Sequence, residues 1–136
     1  MLFPSNTVDR KMTINGARGC HPRIQDRFDL TVECIRRHYV GESSPLADTL
    51  RRYDSFFGLF GSFGAYVDYF LLNDIVTDGA RQVRFHHPFD GFDASPLPPD
   101  LRSYMRYMDA AEGFVRARNR RIRHSRAQTN PSSHDA

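Results

Sequence analysis

Residues 15–39 constrain the fold more than any other part of this chain, because charged side chains there are crowded beside an apolar stripe. The apolar residues recur at steps of three and four, the period of an amphipathic helix; they are Ile24, Phe28, Val32, Ile35 and Tyr39. Pro22 suits the first helical position, where its missing N–H is harmless, and Gly41 suits the left-handed position that ends a helix. We therefore predict a polar, glycine-bearing loop at residues 15–19, followed by a helix that starts at Pro22 and ends at Gly41.

The arginines near the start of this helix predict an anion-binding site. Free N–H groups and the helix dipole favour negative charge at a helix N-terminus. The planar guanidinium group grips a phosphate or carboxylate at two points. The residues of this predicted site in the loop and the helix are Asn15, Arg18, Arg23, Arg27 and Asp29.

A structural network of ion pairs is the alternative explanation for the same charges. A desolvated lone charge is costly, so charges packed against a core need either partners or a ligand. Glu33 and Arg37 have the favourable i, i+4 order, and Asp26 or Asp29 could pair with an arginine from the set Arg23, Arg36 and Arg52. We expect the network to account for most of these charges, with the ligand site kept open beside it.

The rest of the chain predicts three more helices. The second carries Leu46, Leu50, Tyr53, Phe57 and Phe60 inward, after Ser44-Pro45 as cap and first residue. The third covers residues 65–76, with a hairpin through Asp78-Gly79 as the alternative. Residues 82–89 read as an extended piece that needs a pairing partner, which we place in the N-terminal residues. We expect the last helix to run from an Asp100 cap to about Arg123, with inward residues Leu101, Tyr104, Met105, Met108, Ala111 and Val115.

These elements give a mainly α fold of about four helices, with one short extended segment between the third and the fourth. We divide the chain into an extended or frayed N-terminus at residues 1–14, a helical domain at residues 15–123 and a disordered tail at residues 124–136. A length of 136 residues fits one domain with a genuine core.

Composition excludes several classes of protein. The longest apolar run, residues 66–72, is too short to span a membrane, and the N-terminus lacks a secretory signal, so we expect a cytoplasmic protein without a membrane partner. Cys20 and Cys34 are then free thiols. His86 and His87 point to opposite faces of an extended segment, so we expect no metal site. The GARG sequence lacks the spacing of a phosphate loop or a dinucleotide fingerprint, and we expect no cofactor.

Positive charge is concentrated in one segment near the C-terminus. Residues 116–126 contain six arginines and no acidic residue, in a chain of net charge +3. Such a helix could contact a nucleic-acid backbone without reading bases, although the segment has no aromatic residue for stacking. The alternative is a structural helix in which Arg118, Asn119 and Arg121 fold back onto acidic residues of the first predicted helix.

Several sequence blocks together resemble a known family. They are NGARG at 15–19, I-x-DRFDLT at 24–31, ECIRRHY at 33–39, SPL at 44–46, RY-x-x-FF-x-LF at 52–60, GAYVDYFLL at 64–72, PFDGF at 88–92 and F-V-x-x-RN-x-RI at 114–122. The resemblance is to an uncharacterised family of bacterial proteins, a domain of unknown function, and it implies no activity. It covers residues 12–123, after eleven residues that do not resemble the family. Members of that family usually have a substantial segment before the NGARG block, so the chain resembles the C-terminal part of a longer domain.

Three functions remain open at this level. The first is an intracellular helical module that binds an anionic small molecule or partner through the loop-helix block. The second is an enzyme that acts on a nucleotide or phosphorylated molecule, in a cleft that adds Arg118, Asn119 and Arg121 to that block and is incomplete in this chain. The third is nucleic-acid binding through the C-terminal arginines.

Overall fold

A computed structural model describes residues 2–129 of the chain. These residues form six α-helices, one 3₁₀ turn and one two-stranded hairpin. The helices are α1 (Ile14–Cys20), α2 (Phe28–Val40), α3 (Ala47–Arg52), α4 (Asp54–Gly58), α5 (Phe63–Tyr69) and α6 (Leu101–Thr129). The strands are β1 (Val76–Thr77) and β2 (Gln82–Val83). The predicted mainly α class is confirmed, but the described residues contain six helices rather than four.

The predicted start of the first helix at Pro22 is wrong, because the NGARG block is itself helical. Thr13 caps α1, and its hydroxyl accepts a hydrogen bond from the Gly16 amide at 3.2 Å. The chain then reverses through Gln25 and Asp26, whose φ angles are 45° and 64°. Helix α2 begins only after this turn, at Phe28. Its predicted end is confirmed, since Gly41 adopts a left-handed conformation with φ 79°.

The second predicted helix is divided in two at Tyr53. Helix α3 ends there with φ −108° and ψ 23°, and α4 starts at the next residue. Leu50, Tyr53 and Phe57 are nevertheless buried, so the predicted inward spacing holds across the break. The helical period identified the buried face, but it did not identify the interruption.

The third segment contains both structures that the sequence allowed. Ser62 caps α5 by accepting a hydrogen bond from the Ala65 amide at 3.1 Å, and this helix ends at Tyr69. A 3₁₀ turn (Asn73–Ile75) then leads into the hairpin, in which Val76 pairs with Val83 and Thr77 with Gln82.

The predicted pairing of residues 82–89 with the N-terminus is wrong. Only Gln82–Val83 is a strand, and its partner is β1. Asp78 and Gly79 both have positive φ, at 52° and 62°, which is the backbone conformation of the tight turns that join hairpin strands. The local turn therefore determines the pairing.

Helix α6 has the predicted cap but a different packed face. The Asp100 carboxylate accepts a hydrogen bond from the Ser103 amide at 2.8 Å. The prediction that the apolar stripe of this helix faces inward is wrong: Leu101 is 74% exposed, and Tyr104, Met105, Met108 and Val115 are also exposed. Only Ala111 of that set is half-buried. The body instead contacts a neighbouring face, which contains Ser103, Tyr107, Phe114 and Arg118.

Helix α6 also runs to Thr129, beyond the predicted end near Arg123. The rest of the predicted tail, residues 130–136, lies outside the described residues. At the other terminus Phe3 is only 5% exposed, and the Leu2 carbonyl accepts a hydrogen bond from the Tyr66 hydroxyl at 3.2 Å. These N-terminal residues thus pack on the core, within the segment that the sequence predicted to be extended or frayed.

The core surrounds α2, whose residues from Asp29 to Ile35 are all buried. Apolar residues from the other elements pack around it: Ile14, Ile24, Leu46, Leu50, Tyr66, Leu72 and Ile75 are each at most 1% exposed. Both cysteines are free, as predicted, with Cys20 exposed and Cys34 buried. None of the helices in residues 2–129 is long and apolar enough to cross a membrane.

Candidate functional site

Arg18 holds the turn between α1 and α2 in place. Its Nε donates to the Thr31 hydroxyl at 2.8 Å, its Nη1 to the Asp26 carboxylate at 2.5 Å and its Nη2 to the Asp26 carbonyl at 2.7 Å. Burial lowers the pKa of this guanidinium, and the charge of Asp26 partly offsets that effect. All three guanidinium nitrogens of Arg18 therefore have protein partners.

Arg27 and Asp29 form a second, more deeply buried unit. Arg27 donates from Nε and Nη2 to the two carboxylate oxygens of Asp29, and from Nη1 to the Pro96 carbonyl at 2.7 Å. Asp29 also accepts a hydrogen bond from the His86 amide at 2.8 Å. The pair thus joins the start of α2 to two later segments of the chain, near residues 86 and 96.

Glu33 is the centre of a third group of charges on α2. Its carboxylate accepts hydrogen bonds from Arg36 at 2.7 and 2.9 Å, and from Arg37 at 2.7 Å, so the predicted Glu33–Arg37 pair is confirmed. Burial opposes ionisation of Glu33, but the hydrogen bonds from both arginines outweigh it and lower the pKa of the carboxyl group.

The remaining residues of the predicted site lie apart from one another. Asn15 and Asn119 are exposed, and Arg23 faces Asp93 at 3.5 Å. The expectation that Arg118 and Arg121 fold back onto acidic residues of the first predicted helix is wrong. They bond further along the chain, Arg118 to the Phe70 carbonyl and Arg121 to Asp74, because this part of α6 packs against the 3₁₀ turn.

A cleft of about 270 Å³ lies between the start of α2 and α6. Phe28 from α2 and the buried Leu72 form one part of its wall, and Ala111, Phe114 and Val115 from α6 form another. Its polar side chains are Asp26, His86, Tyr107 and Arg118. The cleft therefore combines an apolar wall with a small number of polar groups, which is the usual composition of a small-molecule site.

Aromatic rings form part of the wall, and two arginine guanidinium groups lie close to aromatic rings there. The Phe28 and Phe114 rings stack with centroids 5.7 Å apart. The Arg18 guanidinium lies 5.8 Å from the Phe28 centroid, and the Arg27 guanidinium lies 5.4 Å from the Tyr107 centroid. These distances are those of cation–π contacts. Arg18 and Arg27 are thus adjacent to the cleft wall, although neither is among the residues that line the cleft.

His86 is positioned by these rings. Its imidazole lies 5.9 Å from the Tyr107 ring and 6.1 Å from the Phe114 ring. Burial lowers its pKa despite the opposing charge of Asp29, so the ring is neutral at pH 7. Its Nδ1 atom is buried and has no hydrogen-bond partner among the described residues, which is uncommon for a buried polar atom.

Tyr107 and Arg118 complete the polar part of the cleft. Burial and then the charge of Asp29 raise the pKa of the Tyr107 hydroxyl, which is therefore protonated at neutral pH. Arg118 donates from Nε and Nη2 to the Phe70 carbonyl at 3.1 and 3.0 Å. Within residues 2–129 it forms no ion pair, unlike Arg18 and Arg27.

The sequence interpretation identified Arg118 but not the other polar residues of this cleft. Tyr107, Phe114 and Arg118 follow one another at steps of seven and four, which places them on one face of a helix. That spacing indicates a face of the helix that could pack on the body, but the sequence interpretation chose the more apolar stripe beside it as the packed face. His86 was considered only as a metal ligand; the part of the chain that the structure describes contains no group of three or more His, Cys, Asp or Glu residues suited to a metal ion.

Comparison with known proteins identifies one family. The sequence model of a family of unknown function, DUF6994, matches residues 1–122. The first eleven residues lie within this match, so the expectation that they do not resemble the family was wrong. No curated protein and no solved structure matches the chain. Because the match covers most of its length, the chain belongs to DUF6994, a family whose function is unknown.

Proposed function

We propose that this protein binds a small anion with an apolar or aromatic body, in the cleft between α2 and α6. The observation that carries the proposal is Arg118, a guanidinium that lines the cleft without a carboxylate partner among the described residues. The anionic group of the ligand would contact Arg118, and its apolar part would lie against the Phe28 and Phe114 side of the wall.

The hydrogen bonds of Arg118 suit this role. Both bonds to the Phe70 carbonyl come from Nε and Nη2, so the orientation of the group is fixed while Nη1 has no hydrogen-bond partner in residues 2–129. A guanidinium that is oriented before binding loses less conformational freedom when an anion arrives. A charge-assisted hydrogen bond to a carboxylate or phosphate is stronger than a neutral one.

His86 and Tyr107 supply neutral polar contacts beside that charge. The buried Nδ1 of His86 lacks a partner, and a ligand that offered one would satisfy it. The Tyr107 hydroxyl is protonated, since its pKa is raised, and can therefore donate to an anionic oxygen. Asp26 also lines the cleft, but its negative charge is paired with Arg18 at 2.5 Å.

The size of the cleft limits the ligand class. A volume of about 270 Å³ is slightly below the roughly 300–1,000 Å³ that is usual for small-molecule sites. We therefore propose a compact carboxylate or phosphate monoester with a single ring or a short aliphatic group. Of the eight residues in the sequence-based site, Arg118 would contact the ligand directly. Arg18 and Arg27 would add positive charge from their positions over the Phe28 and Tyr107 rings.

The C-terminal arginines support nucleic-acid binding less well. Several of these arginines already have protein partners: Arg116 pairs with Glu112, Arg118 with the Phe70 carbonyl and Arg121 with Asp74. Backbone contacts to nucleic acid need several free cations along one strand. We therefore propose anion binding in the cleft and not nucleic-acid binding along α6.

Calorimetric titration with matched probes tests the proposal. Phenyl phosphate and benzoate should bind, whereas benzyl alcohol, which has a similar ring and no charge, should bind much more weakly. Arg118→Gln should weaken binding of phenyl phosphate by about tenfold or more, since a hydrogen bond to a charged group contributes about 1.5–3 kcal/mol. His86→Phe, which removes the ring nitrogens, should weaken it to a smaller extent.

The matched control is Arg123→Gln, which removes an exposed arginine of the same helix that does not line the cleft. This variant should bind phenyl phosphate as the unmodified protein does. If Arg118→Gln and Arg123→Gln lost the same affinity for phenyl phosphate, the effect would be one of general positive charge, and the proposal would be overturned. Equal binding of benzyl alcohol, or no binding of either anion, would also overturn it.

A further inference from the structure

A second hollow, of about 600 Å³, shares part of its wall with the cleft. His86 and Phe114 line both spaces, and their ring centroids lie 6.1 Å apart. The cleft alone is slightly smaller than the usual small-molecule site, whereas the cleft and the second space together fall within the usual range of roughly 300–1,000 Å³. We call the second space the α6 hollow. A ligand in the cleft therefore lies next to it.

Small residues leave the α6 hollow open along the helix. On α6 it is lined by Ala110, Gly113 and Ala117, and a Cβ atom at Gly113 would meet nothing within 4 Å. Phe85 also lines the hollow, and its ring stacks on Phe89 with centroids 4.4 Å apart. The hollow thus has space for a ligand group beside the helix backbone, next to an aromatic ring that is held in place.

Two charged side chains line the α6 hollow, and only the negative one is paired. The Asp74 carboxylate accepts hydrogen bonds from Nε and Nη2 of Arg121, at 2.5 and 3.2 Å. Arg84 has a long hydrogen bond from Nε to the Val76 carbonyl, at 3.5 Å, and no ion pair within residues 2–129. The uncompensated charge of the hollow is therefore positive, and an anion is the ligand group that it favours.

Arg84 resembles Arg118 in this respect. Each arginine donates to one backbone carbonyl, that of Val76 or Phe70, and neither has a carboxylate partner among the described residues. One lines the α6 hollow and the other lines the cleft. Two adjacent spaces that share a pair of rings thus each offer one unpaired guanidinium group.

We infer that the ligand of the cleft carries a second anionic group, which lies in the α6 hollow and contacts Arg84. This inference rests on the proposed function and narrows its ligand class. The ligand would have two anionic groups joined by a ring or a short chain, as in a carboxylated aryl phosphate or a dicarboxylate. Because both groups belong to one molecule, the second contact forms without a second loss of translational freedom.

Calorimetric titration with paired probes tests the inference. The probes are phenyl phosphates whose para substituent is a carboxylate, a carboxymethyl or a 2-carboxyethyl group, so that the reach of the second anion varies. Each acid is compared with its carboxamide, which has nearly the same size and no second charge. At least one acid should bind the unmodified protein about fivefold tighter than its amide, since an exposed arginine is partly screened by salt.

The ratio of the two affinities is the readout, so a loss that the acid and the amide share does not count. Arg84→Gln should bring this ratio close to one. Gly113→Leu should do the same, because it fills the α6 hollow with a side chain that favours the helix. Neither residue lines the cleft. Arg118→Gln should weaken the acid and the amide alike, since Arg118 would contact the phosphate that both contain.

The matched control is Arg81→Gln, which removes an exposed arginine three residues before Arg84 that lines neither space. It should leave the ratio unchanged, and an equal decrease in Arg81→Gln and Arg84→Gln would overturn the inference. Equal binding of every acid and its amide would also overturn it, while binding of phenyl phosphate would still support the cleft. A preference for the acid that survives Arg84→Gln would show that the second anion lies elsewhere. Failure of phenyl phosphate and of every acid would overturn both proposals.

Discussion

Asp29 accepts hydrogen bonds from both Nε and Nη2 of Arg27, at 3.1 and 2.5 Å, in a pair whose side chains are at most 4% exposed. The same carboxylate accepts the His86 amide, and the same guanidinium donates to the Pro96 carbonyl. These two residues were part of the anion site predicted from the sequence. Their mutual contacts explain why they would support a ligand indirectly, through the position of His86 and Tyr107, and not by direct contact.

Asp29→Asn should destabilise the protein strongly. The substitution removes the negative charge and leaves Arg27 as an uncompensated buried cation, a change that typically costs about 3–5 kcal/mol. The free energy of unfolding, measured by urea denaturation at pH 7, should fall by roughly that amount. In the control Asp48→Asn, which breaks an exposed pair with Arg51, the loss should stay below about 1 kcal/mol. Similar losses in the two variants would show that the Arg27–Asp29 pair is not buried as described.

Stability should fall as the pH drops below about 6.5 because of His86. Burial holds the pKa of this imidazole below its ordinary value of 6.5, so between the folded and unfolded pKa values the unfolded chain binds more protons. Protons therefore favour unfolding as the pH falls through this window. The stability that the neutral imidazole contributes is fully present only above the pKa that His86 has in the unfolded chain. Urea denaturation at about pH 7.5 and 5.5 should show a smaller loss of stability in His86→Gln than in the unmodified protein. A loss of the same size in both would contradict the prediction.

The two cysteines should differ sharply in reactivity. Cys34 is fully buried, and desolvation raises the pKa of its thiol to about 11, whereas Cys20 is exposed. The thiolate is the reactive form, so a thiol reagent such as dithiobis(nitrobenzoate) should modify Cys20 quickly and Cys34 only after denaturation. Cys20→Ser should abolish the fast reaction, and Cys34→Ser should leave it unchanged. Fast modification of Cys20→Ser in native buffer would show that Cys34 is accessible.

Two glycine substitutions should have opposite effects on stability. At Gly41 the φ angle is 79°, and a Cβ atom would meet nothing within 4 Å. Gly41→Ala should therefore cost about 1–2 kcal/mol through backbone strain alone. Gly113 lies inside α6, also in open space, and Gly113→Ala should stabilise by up to about 1 kcal/mol, because alanine favours the helix. Thermal unfolding measures the change in stability of each variant. Changes of the same sign in the two variants would contradict the backbone conformations described for Gly41 and Gly113.

Several local features were predictable from the sequence because their causes are local. Gly41 ends α2 and Asp100 caps α6 as expected, since each depends on a few neighbouring residues. The Glu33–Arg37 pair follows from helical spacing alone. The predicted start at Pro22 was wrong because Thr13 caps a separate helix through the NGARG block, and α2 begins only at Phe28.

The sequence by itself determined the helical class, the buried faces of α2 to α4, the free thiols and the crowding of charges near residues 18–37. Only the tertiary structure decided which charges pair and which face of α6 is covered. Arg118 and Arg121 meet partners 47 or 48 positions away, and a spacing pattern along one helix contains no information about such contacts. Helix α6 has two faces with apolar residues, and the body packs against the one that contains Tyr107 and Phe114. Phe114 stacks on Phe28, and the Tyr107 ring lies 5.9 Å from the His86 ring. This packing forms the cleft and leaves the more apolar face of α6 exposed.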